Sequence, residues 1–201
     1  MTDVAIIDNG GANIASLRHA LQRLGASSVL TTSAVELAAA PRVLLPGVGA
    51  AADAMARLRT LGLVDAIRGL TQPLLGICLG MQLLYERSEE GDTECLGLVP
   101  GRVRRLADGP DLPVPHMGWN QLEPGRADPL LAGLRDSEHF YFVHSYAAPV
   151  GPDTVATTVY GTPFTAVVRR GNLAGAQFHP ERSGPAGARL LANFLAGQRC
   201  G

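Results

Sequence analysis

The chain contains no lysine: all 17 of its basic residues are arginine, set against 18 acidic ones for a formal net charge of −1. So uniform a choice reads as codon bias and not as a functional signal. With the signs balanced and a pI near 6.5, nothing here forms an electrostatic footprint for nucleic acid or an anionic membrane surface. Cysteine is almost as scarce. Cys78, Cys95 and Cys200 are odd in number and lack C-x-x-C spacing, so neither a disulfide framework nor a zinc site is expected. His19, His116, His139 and His144 show no paired ligand spacing either, so packing or hydrogen bonding is expected of them, and no metal or cofactor is expected. No apolar run approaches a membrane span, and the first residues lack a basic region followed by a long apolar one, which makes the cytoplasm the expected location.

What is present is a core-forming composition. A length of 201 residues with 46% hydrophobic content suffices for one domain, taken as residues 1–201, without staples. Short apolar runs alternate with helix-like segments. Residues 4–8 read as a strand ending in a Gly-rich loop, 13–24 as an amphipathic helix closed by Gly25, 42–45 as a strand, 51–61 as an Ala-rich helix and 73–77 as another strand. Such alternation implies an α/β fold: an open, mostly parallel twisted sheet with helices on both faces and function at the carboxyl ends of the strands. From residue 98 to 168 strand-like runs at 103–106, 119–122, 140–145, 155–160 and 165–168 suggest antiparallel strands added to that sheet. The proline-rich stretch 107–115 is read as a loop within the domain.

Two segments carry chemistry. In G-I-C-L-G, Cys78 follows the apolar run and precedes a helix-like stretch at 81–85, the layout of a nucleophile elbow with sulfur as nucleophile. The flanking Gly76 and Gly80 remove Cβ atoms that would clash in so sharp a turn. Far downstream, after a strand-like run at 173–178, comes H-P-E. A thiol nucleophile needs an imidazole to take its proton, and that imidazole needs a partner on its other nitrogen. His179 and Glu181 fit those roles, and at a strand end their spacing would put both side chains on one side of the chain. An oxyanion formed beside Cys78 needs donors; Leu79 N–H is adjacent, and the loop P-G-V-G at 46–49 has glycines that permit a peptide rotation.

L-P-G-V-G at 45–49, G-I-C-L-G-M-Q at 76–82 and F-H-P-E at 178–181 together resemble the class I, or triad, glutamine amidotransferases, of flavodoxin-like fold. The resemblance implies a triad of Cys78 as nucleophile, His179 as base and then acid, and Glu181 as the orienter of His179. It also implies an oxyanion hole from Val48 and Leu79, and contacts to substrate glutamine from Gly47, Gly49, Gln82, His144, Ser145 and Tyr146. H-M-G-W-N at 116–120, D-N-G-G-A-N-I at 8–14 and F-V-H-S-Y at 142–146 narrow it, being similar to the glutaminase subunits of imidazole glycerol phosphate synthases. That likeness implies a heterodimer with a cyclase (synthase) subunit, docked through Asn13, His116, Met117, Trp119 and Arg182. Asn9 stands where that pattern has Tyr, Ala12 where it has Gly, and Arg182 where Lys is more frequent; arginine keeps the charge with a different donor geometry. The other readings are the glutaminase of anthranilate or pyridoxal phosphate synthesis, which H-M-G-W-N disfavours, and a non-catalytic regulatory module, which the intact Cys78, His179 and Glu181 disfavour.

Overall fold

The computed structural model describes residues 2–10, 14–110 and 112–197. Its first half alternates strand and helix: β1 (Val4–Ile7), α1 (Ile14–Arg23), β2 (Ser28–Thr31), α2 (Ala34–Ala39), β3 (Val43–Gly47), α3 (Ala51–Thr60), α4 (Leu63–Arg68), β4 (Leu74–Cys78) and α5 (Leu79–Gln82). The second half is strand-rich: β5 (Tyr85–Ser88), β6 (Thr93–Glu94), β7 (Val99–Arg105), β8 (His116–Gln121), β9 (Glu123–Pro124), β10 (His139–His144), β11 (Tyr146–Ala147), β12 (Thr154–Tyr160), β13 (Thr162–Arg170) and β14 (Leu173–Ala176), closed by α6 (Gly184–Ala196).

The main sheet runs β2-β1-β3-β4-β14-β13-β12-β9. Pairing is parallel from β2 through β14 and antiparallel beyond it. Side-chain alternation along β1 divides the core: Val4 and Ile6 pack with Leu17 and Leu21 of α1 and Leu190, Leu191 and Phe194 of α6. Ala5 and Ile7 pack instead with Leu37 of α2, Met55 and Leu58 of α3 and Ile67 of α4. Each face of the sheet is thus covered by its own helices, which is why the central strands read as continuous apolar runs.

Three features depart from the sequence reading. The helix expected at 81–85 is α5, one turn that stops at Gln82, because Tyr85 is drawn into parallel pairing with Val99 of β7. Of the antiparallel strands expected in the sheet, β12 and β13 join it, whereas β7 lies in a four-stranded sheet ordered β11-β7-β5-β6 and β8 pairs with β10 as a separate ribbon. The His179–Glu181 segment does not continue a strand: β14 ends at Ala176, and Pro180–Arg182 form a single 3-10 turn, a start favoured by proline with its fixed φ and missing N–H.

Candidate functional site

Three strands end together. β3 and β4 pair in register up to Gly47 opposite Cys78, and β14 lies along the other side of β4, so their carboxyl ends share one rim. Cys78 sits at φ 52° and ψ −113°, a conformation that costs an L-residue about 1–3 kcal/mol and persists only where packing enforces it. The enforcement is visible. A Cβ on Gly76 would lie 2.7 Å from both Gly80 O and Met81 N, one on Gly47 would lie 2.8 Å from Gly80 N, and one on Gly80 would overlap the Leu45 carbonyl oxygen. Helix α5 therefore rests backbone to backbone on β3 and β4, and the chain turns sharply at the cysteine.

His179 is tied to the β10 strand through its main chain. Its N–H donates to Tyr141 O at 2.9 Å, Ser183 Oγ donates to its carbonyl at 2.7 Å, and Tyr141 N–H donates to Ser183 Oγ at 3.0 Å. The 3-10 turn swings Glu181 back beneath the ring, placing Oε1 2.8 Å from Nδ1 with both side chains almost wholly buried. Nδ1–H is thus the donor to the carboxylate, while Nε2 is buried without a hydrogen-bond partner of its own. Burial is the largest single influence on His179 and disfavours its charge, but Cys78 and Glu181 together outweigh it and raise the imidazole to about 10. A buried base with an orienting carboxylate on one nitrogen, and a thiol near enough to favour its charged form, is an arrangement for moving a thiol proton.

Cys78 opens into a cavity of about 370 Å³ lined by Val48, Gly49, Cys78, Leu79, Gln82, Glu90, Pro115, Val143, His144, Ser145, Tyr146 and His179. A larger depression of about 630 Å³ beside Arg18, His19 and Gln22 of α1 holds no comparable nucleophile and base, so the chemistry points to the smaller one. Val48 and Leu79, the expected oxyanion donors, line the cavity next to the sulfur, as do Gly49, Gln82, His144, Ser145 and Tyr146. Gly47 does not. It borders a separate void of about 10 Å³ against His179 and Glu181, and its lack of a side chain serves the contact with α5.

Two histidines take places other than those expected. His144 has both ring nitrogens engaged: Nδ1 lies 2.9 Å from Tyr146 O, and Nε2 lies 3.0 Å from His116 Nδ1. Since a carbonyl only accepts, His144 is protonated at Nδ1, and His116 donates to it from Nδ1. His144 therefore holds the Tyr146 carbonyl and has no ring nitrogen left for a ligand. His116 is only 4% exposed, stacked at 4.1 Å on Tyr160 and 5.1 Å on Phe142, so it packs inside the protein and cannot present a surface to a partner. Desolvation lowers both, His116 to about 4 and His144 to about 3, and the pair is neutral.

The remaining expected partner residues are on the surface. Met117 and Trp119 are 64% and 56% exposed, Trp119 packs edge-on against Tyr141, and exposed Arg182 lies over the Tyr141 ring at 5.9 Å. Asn13 and Ala12 fall outside the described residues. Asn9 is buried, and its Nδ2 donates to Pro46 O at 2.8 Å, steadying the strand end that leads into the Gly47–Gly49 loop.

Glu90 and Gln177 were not singled out from the sequence. Glu90 reaches the cavity while its Oε2 accepts from Ala51 N–H at 2.8 Å; within an E-E-G-D run it looks like any solvated turn. Gln177, two residues before His179, brings Nε2 to 3.8 Å from Cys78 Sγ. Its proximity to H-P-E was the available signal.

Residues 5–197 match the family model for glutamine amidotransferase class-I. The chain belongs to that family. This amidotransferase is 61% identical over 195 residues, 97% of its own length and 98% of the relative's, to the imidazole glycerol phosphate synthase subunit HisH of Xanthomonas euvesicatoria pv. vesicatoria. The subunit of the same name from Xylella fastidiosa strain Temecula1 is 58% identical with the same coverages. Among solved structures, one described as a glutamine amidotransferase superposes with a TM-score of 0.75 at 23% identity, covering 96% of this chain and 97% of that one. The structure of PurLQS from Thermotoga maritima gives 0.70 at 20% identity, covering 98% and 99%. At such identities the likeness concerns the fold alone. Among the described residues of the amidotransferase no helix is long and apolar enough to cross a membrane.

Proposed function

We propose that this amidotransferase is the glutaminase subunit of an imidazole glycerol phosphate synthase, acting as one unit in the cytoplasm in histidine biosynthesis. It hydrolyses glutamine to glutamate and ammonia and hands the ammonia to the cyclase (synthase) subunit, which makes imidazole glycerol phosphate and AICAR. The observation that carries the chemistry is the buried 2.8 Å contact between His179 Nδ1 and Glu181 Oε1, which leaves Nε2 to the thiol at the strained elbow.

The steps follow from that geometry. Cys78 Sγ, its proton passed to His179 Nε2, attacks the γ-carboxamide carbon of glutamine. The oxyanion is met by Leu79 N–H and by Val48 N–H once the loop peptide presents it. His179 returns the proton to the departing ammonia, then activates a water that opens the thioester and releases glutamate. Gly49, Gln82, Ser145 and Tyr146 line the cavity and are the groups we assign to the amino-acid end of glutamine, and the Glu90 carboxylate in the same lining suits its ammonium group. Ammonia leaves toward the partner, docked over Met117, Trp119 and Arg182.

The isolated subunit should be nearly idle and be switched on by its partner. Gly49, at φ 89° with open space around its Cβ position, is where a loop peptide can rotate, whereas Gly47 is clamped against α5. Restoring one oxyanion donor is worth about 10²- to 10³-fold in rate, enough for much of a switch. A glutaminase assay with the synthase subunit present and absent tests the reading: strong stimulation is expected, and full turnover by the isolated chain at saturating glutamine would contradict it.

A further inference from the structure

Gln177 is fully buried, and its amide is fixed at both ends. Oε1 accepts from Gln82 Nε2 at 3.0 Å, and the same Gln82 nitrogen donates to Tyr146 O at 2.7 Å. Tyr146 O is held in turn by His144 Nδ1–H at 2.9 Å, so Gln82 cannot turn its amide over without facing oxygen to oxygen. Since the Oε1 end of Gln177 is committed to a donor, its Nε2 end must face Cys78 Sγ, at 3.8 Å.

Val143 O lies at the same 3.8 Å from Cys78 Sγ. A carbonyl accepts only from the S–H form, whereas an N–H donor binds the sulfur anion more strongly than the neutral thiol. The two neighbours therefore favour opposite states of Cys78. We propose that Gln177 is a positioning residue for the nucleophile: its amide N–H steadies the sulfur anion left when His179 takes the proton, in opposition to the Val143 carbonyl that retains the thiol. The proposal rests on Cys78 being the nucleophile.

The test reads the sulfur directly. Gln177→Met keeps the length and packing of the side chain, and Gln82 retains Tyr146 O as an acceptor, so the fold is expected to persist. The reactive species in alkylation is the thiolate, so the rate at which iodoacetamide modifies Cys78 at pH 7, followed by peptide mass spectrometry, should fall about three- to tenfold on losing one charge-assisted donor, and recover as the pH is raised. Cys95 gives little background, because burial pushes its thiol up to about 11. A second measurement does not depend on that variant folding. The side-chain NH₂ resonances of Gln177 in the parent protein should move with pH across the alkylation profile, and should stay still in Cys78→Ala. Parent-like alkylation in a folded Gln177→Met protein, or an amide resonance indifferent to Cys78, would overturn the proposal. Failure of the parent complex to hydrolyse glutamine would instead overturn the functional reading, and the two results are separately readable.

Discussion

In the proposed mechanism Cys78, His179 and Glu181 divide the labour unequally, and mutational cost should follow. His179→Ala is expected to match Cys78→Ala, since either loss removes the attack itself. Glu181→Gln removes only the group that fixes the ring, and should be milder by about 10²-fold in kcat when glutaminase turnover is measured in the assembled complex. Equal losses for all three would mean that Glu181 does more than orient. The juxtaposition of these residues, His179 against Glu181 and Cys78 beside His179 in one cavity, was legible because each belongs to a short word with a chemical reason for its spacing. The roles of His144 and His116 were not legible. Their ring-to-ring contact at 3.0 Å joins positions 28 apart in the chain, and it depends on the pairing of β8 with β10 that sets His116 opposite His144. Gln177 was hidden for the same reason, its amide being fixed by Gln82, 95 positions away.

The element that governs the site is α5 with the strands beneath it, and its glycines are not equivalent. Gly47 was expected to serve loop rotation, but a Cβ there would meet Gly80 N at 2.8 Å and Leu79 Cβ at 2.9 Å. Gly47→Ala should therefore push the elbow itself, lowering stability by about 1–3 kcal/mol and impairing turnover even where the loop is already in its active form. Gly49→Ala meets no atom but must hold φ 89°, a strain of about 1–2 kcal/mol that falls on the loop. It should chiefly reduce stimulation by the partner while the complex still forms. Thermal unfolding together with stimulated and unstimulated glutaminase rates separates the two; indistinguishable variants would refute the distinction. Periodicity located β1, β3 and β4, where burial on both faces leaves long apolar runs. It misjudged the stretch after Gln82, because the apolar residues Leu83 and Leu84 look the same whether a helix continues or a strand is about to pair with β7. It likewise could not say which antiparallel strands would join the sheet, since alternation gives the face of a strand and not its neighbour.

At the scale of the whole molecule, the doubly covered sheet brings the ends of β3, β4 and β14 to one rim and buries a neutral histidine pair beside it. That burial sets a pH dependence. His116 and His144 titrate near 4 and 3 in the folded protein against an ordinary 6.5, so between those limits the unfolded chain binds more protons. Their cost is absent above pH 6.5, and stability falls as pH drops through that window, by up to about 1.4 kcal/mol per pH unit for each proton. Urea unfolding from pH 7 to 4 should show this acid limb, and the double variant His116→Phe, His144→Leu should show a shallower one from a lower plateau. An unchanged slope would mean that the pair does not stay neutral on folding.

The central claim, that this chain exists to make ammonia at Cys78 for a partner, is tested most directly by Cys78→Ala assembled with its synthase partner and supplied with either nitrogen source. Glutamine-dependent synthesis should be abolished and ammonia-dependent synthesis should remain close to that of the parent complex. Loss of both in a correctly assembled complex would make Cys78 a structural residue and contradict the account.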